Sequence, residues 1–425
     1  MNFILLFQLF QFASAQNLII QVNHRYLDGC FEGLSEWITK YMQGNVIHGK
    51  FQERLRTGSI QATDVRTTHL YLRSASVEHH HAEHFVQIKG LNIKLKGNWR
   101  YRVLYLISDS SGFSLNINDM NVTLGSIVPE IFSGLPFIET DLSCKVRHGG
   151  FAFSLDQPKR FSNLLSKFMH RLMSGKIERT ICAELTNALD MFLRNGIEQL
   201  SFRHSLTTGT ILNNSLISKP LLSPDGDLTT YHYGIVREDS IPSTEITLLE
   251  RYPYDVTYLV KPQLLDEILS TVYRRSLFDG SYKDDVEYNM SVECVKPPKV
   301  VLEGEGIILA LEERLIAMKN AVLLLNDTFT VGLLLNALYS YRLQLFFQVL
   351  QTSNLAFLPE EVHQKFGSKL RQQWSSVIAT YLRVPLPTAI GVLARNATLK
   401  IEKPFIVFGV DIYSPLYHNS KRSLS

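Results

Sequence analysis

The chain is poor in cysteine, with 4 in 425 residues. It is no disulfide-stapled mini-protein, and at this length it can form two or three domains that bury their own cores. It also has little excess charge: 43 basic and 40 acidic residues leave +3. Residues 1–220 hold 23 basic against 17 acidic groups and the remainder 20 against 23, an asymmetry far below that of nucleic-acid binders, so no nucleic-acid partner is expected. A charged fraction of 20% beside a hydrophobic fraction of 45%, with only 24 Gly and 15 Pro, excludes bulk disorder and collagen-like sequence. No internal apolar run reaches the roughly 20 residues that a membrane helix needs. The best candidate, Phe329 to Tyr341, contains Asn336 and runs into Arg342. Catalytic signatures are missing too: there is no G-x-S-x-G elbow and no phosphate loop, and Gly304-Glu305-Gly306 lacks the third glycine of a dinucleotide site. The chemistry left is binding rather than turnover, with no cofactor and no resident metal.

What is present begins with a leader. Phe3 to Phe12 is apolar apart from Gln8 and Gln11, and Ala13-Ser14-Ala15 supplies the small residues a signal peptidase reads. Residues 1–15 are therefore expected to be a signal peptide and the protein to be secreted. The cysteines suit that compartment. A bridge between Cys144 and Cys182, 38 residues apart, would tie a strand to a helix and constrain the unfolded chain by roughly 3 to 4 kcal/mol. Cys30 and Cys294 either are buried free thiols, the favoured reading, or pair across a domain junction. Sequons at Asn121, Asn213, Asn289, Asn326 and Asn396 agree with an extracellular route and glycosylation.

Leu27, Cys30, Phe31, Leu34, Trp37, Ile38 and Tyr41 recur at helical spacing, marking one amphipathic helix. The period then becomes two. Val86 and Ile88, then Leu91, Ile93 and Leu95, alternate with polar residues; Gly97-Asn98 reads as a turn, followed by Trp99 to Tyr105, and Ser110-Ser111-Gly112 as a second turn before Phe113, Leu115 and Ile117. This is an antiparallel meander. A long helix follows, with Phe168, Met169, Leu172, Ile181, Leu185, Leu189 and Phe192 on its apolar stripe and Gly175 as an expected bend. Residues 205–255 are richer in Ser, Thr, Pro and Asp and mark a junction. Helix, strands and helix then recur (262–277, 286–351, 359–382), with closing strands over 389–401 and 404–412, which suggests a duplicated unit. An apolar stripe under a twisted meander is either ordinary core or the wall of a lipid pocket.

One string tempts in another direction. His80, Glu83 and His84 match the H-x-x-E-H pattern of zinc hydrolases, whose chemistry needs a helix so that the two His share a face. Here the run separates two period-two stretches and is expected to be a polar hairpin loop.

Residues 91–102 (LNIKLKGNWRYR) lead into 113–126 (FSLNINDMNVTLGS), then Cys144, the 181–193 helix (ICAELTNALDMFL) and the closing 384–412 stretch (VPLPTAIGVLARNATLKIEKPFIVFGVDI). In order and spacing, from about residue 20 to residue 413, these segments resemble the secreted lipid-binding family of bactericidal/permeability-increasing protein, lipopolysaccharide-binding protein and the plasma lipid transfer proteins. The resemblance implies an α+β fold: an elongated boomerang of two similar barrels, each a twisted antiparallel sheet wrapped on a long helix, joined by a central β-sheet. The expected division is an N-terminal lipid-binding barrel at 16–220, a central sheet and linker at 221–255 and a C-terminal lipid-binding barrel at 256–425. The resemblance also implies a Cys144–Cys182 disulfide and apolar pockets for phospholipid acyl chains, with Phe168, Met169, Leu172, Ile181, Leu185, Leu189 and Phe192 as pocket residues. By the same resemblance, Lys50, Arg54, Arg56, Lys96, Arg100, Arg102, Lys159 and Arg160, with Trp99 and Tyr101 among them and Glu53 interrupting, form the tip that would meet anionic headgroups, including bacterial lipopolysaccharide or a bacterial membrane surface. The expected protein is a monomeric lipid binder serving innate, antibacterial recognition; the alternatives are a lipid transfer shuttle without lipopolysaccharide recognition, or the zinc hydrolase of His80, Glu83 and His84.

Overall fold

The structure is a computed structural model that describes residues 17–44, 51–55, 58–80, 83–103, 107–132, 135–140, 143–147, 149–156, 175, 178–192, 194, 201–223, 225–236, 251–284, 287–353, 355, 357–387 and 393–413. In chain order the elements are β1 (Leu18–Val22), α1 (His24–Gly44), β2 (Phe51–Leu55), β3 (Gly58–Tyr71), β4 (Ser74–His80), β5 (Glu83–Val103), β6 (Ile107–Phe132), β7 (Leu135–Thr140), β8 (Cys144–Arg147), β9 (Gly150–Leu155), a helix described over 178–192 (α2), β10 (Arg203–Ser205), β11 (Ile211–Asn213), β12 (Leu221–Leu222), β13 (Leu228–His232), β14 (Val256–Val260), α3 (Pro262–Arg274), β15 (Gly280–Asp284), β16 (Tyr288–Cys294), β17 (Lys299–Glu303), β18 (Gly306–Lys319), β19 (Val322–Ser340), β20 (Gln344–Thr352), α4 (Glu360–Tyr381), β21 (Arg383–Pro385), β22 (Leu393–Glu402) and β23 (Phe405–Tyr413). The leader read at 1–15 lies outside the described residues.

Two expected turns are not turns. Gly97-Asn98 lies within β5, a strand of 21 residues, and Ser110-Ser111-Gly112 within β6, a strand of 26. Gly97 answers a packing need instead. A Cβ on Gly97 would lie 2.8 Å from Cε1 of Phe113 and 3.1 Å from the Thr63 carbonyl oxygen, whereas a Cβ on Gly112 would meet only the movable carboxylate end of the exposed Asp156 side chain. The inner face therefore runs through them without a break: Leu91, Ile93, Leu95 and Trp99 on β5 meet Phe113, Leu115 and Ile117 on β6, all buried. Where the apolar parity does change, the backbone bulges. Gly90 (φ 67) separates Val86 and Ile88 from Leu91 and Ile93, and Asp119 (φ 50) separates Ile117 from Met120, Val122 and Leu124. Each extra residue returns the next apolar side chain to the core face and adds twist, which curls the sheet.

The first sheet runs β2-β3-β5-β6-β7, with β4 on β5 and β8 and β9 on β6. The second runs β15-β16-β18-β19-β20-β21, with β17 on β18. The two connectivities coincide strand for strand from β2–β7 to β15–β20, each preceded by a helix and followed by another, which gives the expected pair of similar curled sheets wrapped on helices. On β18 the alternation Ile307, Leu309, Leu311, Leu315 and Ala317 faces α4, whose Val362, Phe366, Leu370, Trp374 and Ile378 repeat every four residues. Burying each such large side chain contributes about 1.5 to 3 kcal/mol. Pro262 opens α3, where its missing N–H costs nothing, and Glu360 and Glu361 sit in the first turn of α4, where the helix dipole favours them.

Between the two lies a six-stranded sheet in the order β12-β13-β1-β14-β23-β22. It takes strands from beyond 221–255: β1 comes from the start of the described chain and β22 and β23 from its end. β1 pairs along its whole length with both β13 and β14, and Leu18, Ile19, Leu259 and Phe408 within the sheet are fully buried.

Candidate functional site

The stripe on α2 faces the first curled sheet. Ile181, Leu185, Ala188 and Leu189 are fully enclosed and share one core with Leu34, Ile38 and Met42 of α1 and with the inner faces of β3, β5 and β6. Phe192 is half-buried and meets Trp37 edge-on at 5.9 Å, and Trp37 stacks on Tyr41 at 5.3 Å, so the two helices touch through rings. Cys182, one residue from Ile181, is bonded to Cys144 at the start of β8, with Cα atoms 5.8 Å apart. The bridge pins α2 to the sheet at the point where its apolar stripe begins in the described helix. Of the other expected pocket residues, Phe168, Met169 and Leu172 lie outside the described residues.

The expected headgroup cations divide in the same way. Lys50, Arg56, Lys159 and Arg160 lie outside the described residues, and of Arg54 only the backbone is described. Lys96, Arg100 and Arg102 are exposed, on the outward face of β5 rather than on a turn. Strand alternation sends Trp99 the other way: it is buried among the core residues, so it does not stand among the cations. Pairing places Arg54, Ser59, Arg102 and Ser108 in one cross-strand row, with Arg54 and Arg102 two strands, about 10 Å, apart. Two further cations join this face. Arg66 lies directly opposite Lys96, and Lys94 is two residues before it. Both are exposed. Like charges set directly opposite one another oppose sheet pairing, and among the described residues Arg66, Lys94, Lys96, Arg100 and Arg102 make no ion pair. Asp64 and Asn98, bonded to each other at 3.1 Å, lie between the Arg66–Lys96 pair and Arg100. Arg66 was invisible in the sequence because its partner is fixed by register across two bulges, not by spacing.

The His run forms a β-hairpin: His79 pairs with His84 and His80 with Glu83 across the β4–β5 connection. In the second sheet the same connection is the Glu303–Gly306 turn between β17 and β18. The described residues of the H-x-x-E-H string, His80, Glu83 and His84, lie on strands, so its two His lack the shared helical face that the hydrolase reading requires. Cys294 is a buried free thiol, and burial pushes it up to about 12, so it is an inert core residue and not half of a bridge across the junction. Among the sequons, Asn121, Asn326 and Asn396 are exposed. Asn121 also accepts a hydrogen bond from the Gly90 N–H at 3.0 Å, bracing the bulge. Asn213 is half-buried and accepts from Ser215, and Asn289 is half-buried with a buried Oδ1.

No family model matches the chain. A stretch of 138 residues, 31% of the chain, is 25% identical to bactericidal permeability-increasing protein of Sebastes schlegelii, and the match spans 28% of that protein's length. The solved structure of lipopolysaccharide binding protein matches over 94% of this chain and 100% of its own, with a TM-score of 0.58 at 11% identity. Takeout 1 of Epiphyas postvittana aligns with 38% of the chain and 90% of its own at 12% identity, with a TM-score of 0.26, too low to bear on the fold. The chain is thus similar in sequence to one member of the family read from its residues and in fold to another, and its architecture is the elongated two-barrel boomerang.

Proposed function

We propose that the chain is a secreted, monomeric lipid-binding protein, not an enzyme, that holds the acyl chains of a phospholipid or another amphipathic lipid between α2 and the first curled sheet, and a second set in the matching sheet of the other barrel. The two barrels are taken as 16–220 and 256–425, with 221–255 as linker and part of the central sheet. The observation that carries this reading is the apolar stripe of α2 laid against a curled sheet, in a fold shared with lipopolysaccharide binding protein over 94% of the chain. Physical chemistry supplies the affinity. An acyl chain of about sixteen carbons gains on the order of 10 kcal/mol on leaving water, at about 0.8 kcal/mol per methylene, so the chains hold the ligand and the charges select the headgroup.

The outward cations of β5, with Arg66 and the expected tip residues, are the proposed contacts to anionic headgroups, bacterial lipopolysaccharide among them. Arginine suits the role because its planar fork meets phosphate oxygens in pairs.

The pocket reading is tested by Leu185→Trp and Leu189→Trp. If acyl chains share the space beside α2, at least one variant loses bound phospholipid while its melting temperature stays near that of the wild type. If both variants lose about 1 to 3 kcal/mol of stability, the cost of overpacking a closed core, and keep their lipid, the stripe is plain core.

A further inference from the structure

The His run is a motif that the acyl-chain reading leaves unused, and strand register gives it a chemistry different from that of a zinc hydrolase. β4 and β5 pair without a bulge from Ser74–Lys89 to His80–Glu83. Only two residues separate His80 from Glu83, so this closing pair exchanges the ladder hydrogen bonds. The next pair, His79 with His84, is then of the non-hydrogen-bonded kind, in which side chains stand closest. Directly opposite residues share a face, with Cβ atoms about 4.5 to 5.5 Å apart. Alternation therefore splits the H-x-x-E-H string, because His80 falls on one face and His84 on the other. It joins His84 instead to His79, which the string does not contain.

Neighbouring pairs identify the face. Two positions further from the connection, Val77 opposes Val86 on the same face as His79 and His84, and both valines are buried. The second sheet repeats the arrangement. There Glu303–Gly306 closes the β17–β18 connection, Leu302 opposes Ile307 at the next position, and Val300 opposes Leu309 two positions on. All four of these aliphatic residues are buried. The first sheet thus places two imidazoles where its counterpart places a buried leucine and isoleucine. Polar groups on a core face need partners, and two charged rings at one register position would repel each other. A single ion that takes a lone pair from each ring satisfies both.

We propose that His79 and His84 form a cross-strand chelate for a divalent transition-metal ion, Cu2+ or Zn2+, ions to which imidazole nitrogen is well suited. Two rings fill only part of a coordination shell, which for Zn2+ has about four positions, so the ion exchanges and a chelator removes it. The site is not catalytic: Glu83, which the hydrolase reading needs beside the metal, lies at the neighbouring register position on the opposite face. Bound there, the ion ties β4 to β5 at the end of their pairing, and α1 packs against β3 and β4, so the tie braces a strand on which that helix rests.

The test strips the full chain with a chelator and titrates it with Zn2+ and with Cu2+ in a calorimeter. Electron paramagnetic resonance of the Cu2+ form then counts the coordinating nitrogens. One ion per chain is expected, held by two imidazoles. His79→Leu and His84→Ile, which install the residues of the second sheet, should each weaken binding by about tenfold or more, since a ligand counts for at least as much as the outer groups that orient one. His79→Gln, which keeps a polar side chain, makes the same deletion if His79→Leu fails to fold. His80→Ala and Glu83→Ala should bind as the wild type does. A chain that binds neither ion, a Cu2+ spectrum with fewer than two imidazole nitrogens, or His79 and His84 variants that bind as tightly as wild type would overturn the inference. Bound lipid reads the acyl pocket independently: lipid without metal defeats this site alone, and the His79 and His84 variants should keep the lipid content of the wild type.

Discussion

Glu313 lies on the inner face of β18, where the alternation that buries Leu311 and Leu315 buries it as well. One carboxylate oxygen accepts from the Trp374 indole at 2.8 Å, and the other is buried with no partner among the described residues. Burial pushes this carboxyl up to about 7, against an ordinary value of 4.5. The folded chain therefore holds the proton more tightly than the unfolded chain. Its contribution to stability is fully present below about pH 4.5 and is lost as pH rises through 7, on the order of 3 kcal/mol. His232 acts in the opposite sense. Fully buried between the Asn214 carbonyl at 2.7 Å and the Thr230 hydroxyl at 2.8 Å, it is lowered from 6.5 to about 4 by burial. Stability from this neutral ring is present above 6.5 and lost as pH falls toward 4. The two slopes oppose each other between about pH 4.5 and 6.5. Glu313→Gln should therefore leave His232 unopposed, so that urea stability climbs more steeply from about pH 5 to 7 than in the wild type. Parallel curves for the two proteins would show that Glu313 does not titrate in this way. Neither residue could be singled out in the sequence, because a Glu within an apolar alternation and a His near a proline-bearing stretch look like surface residues until the register is known.

The elements themselves were largely legible. The helical spacing from Leu27 to Tyr41, the alternation along Leu91–Leu95 and the stripe from Ile181 to Phe192 all correspond to elements of that type. The errors fell on glycine. Gly97-Asn98 has the composition of a hairpin turn, yet here the glycine makes room for Phe113 on the neighbouring strand, a requirement set by a residue 16 positions away and paired with it directly. The two roles differ in a measurable way. At an ordinary turn position with unstrained φ, alanine would be neutral or stabilising by about 0.4 to 1 kcal/mol. Within β5, Gly97→Ala should cost about 1 to 3 kcal/mol, because a Cβ meets both a ring and a backbone carbonyl. An unchanged or raised melting temperature would mean that the strand yields there. Reading the stretch as a turn also put Lys96, Arg100 and Arg102 on a loop with Trp99 beside them; the continuous strand instead sorts cations outward and the tryptophan inward.

At the scale of the whole molecule, the repeat of helix, meander and helix was visible as a pattern without residue-level similarity, and the matching strand orders account for it. The central sheet was less legible. Short apolar strands such as Leu18–Val22 carry no signal of a partner more than 200 residues away, but β1 is inserted between β13 and β14. Separating the chain at its junction should therefore fail. A fragment comprising 256–425 would expose the edge of β14, all five of whose residues are buried, and an uncovered apolar edge strand promotes association. It is expected to aggregate or to melt well below the intact chain, and to recover solubility when a peptide spanning 17–23 is added. A monomeric fragment that melts at the temperature of the whole protein would show that the central sheet does not join the halves.

The lipid itself is the most direct test of the account. Native mass spectrometry of the full chain, before and after extraction with organic solvent, is expected to show an excess mass matching phospholipid that disappears on extraction and returns when phospholipid is added back. A chain that carries no lipid, takes none up, and instead holds stoichiometric zinc would contradict the lipid-binding reading and return the His80, Glu83 and His84 run to consideration.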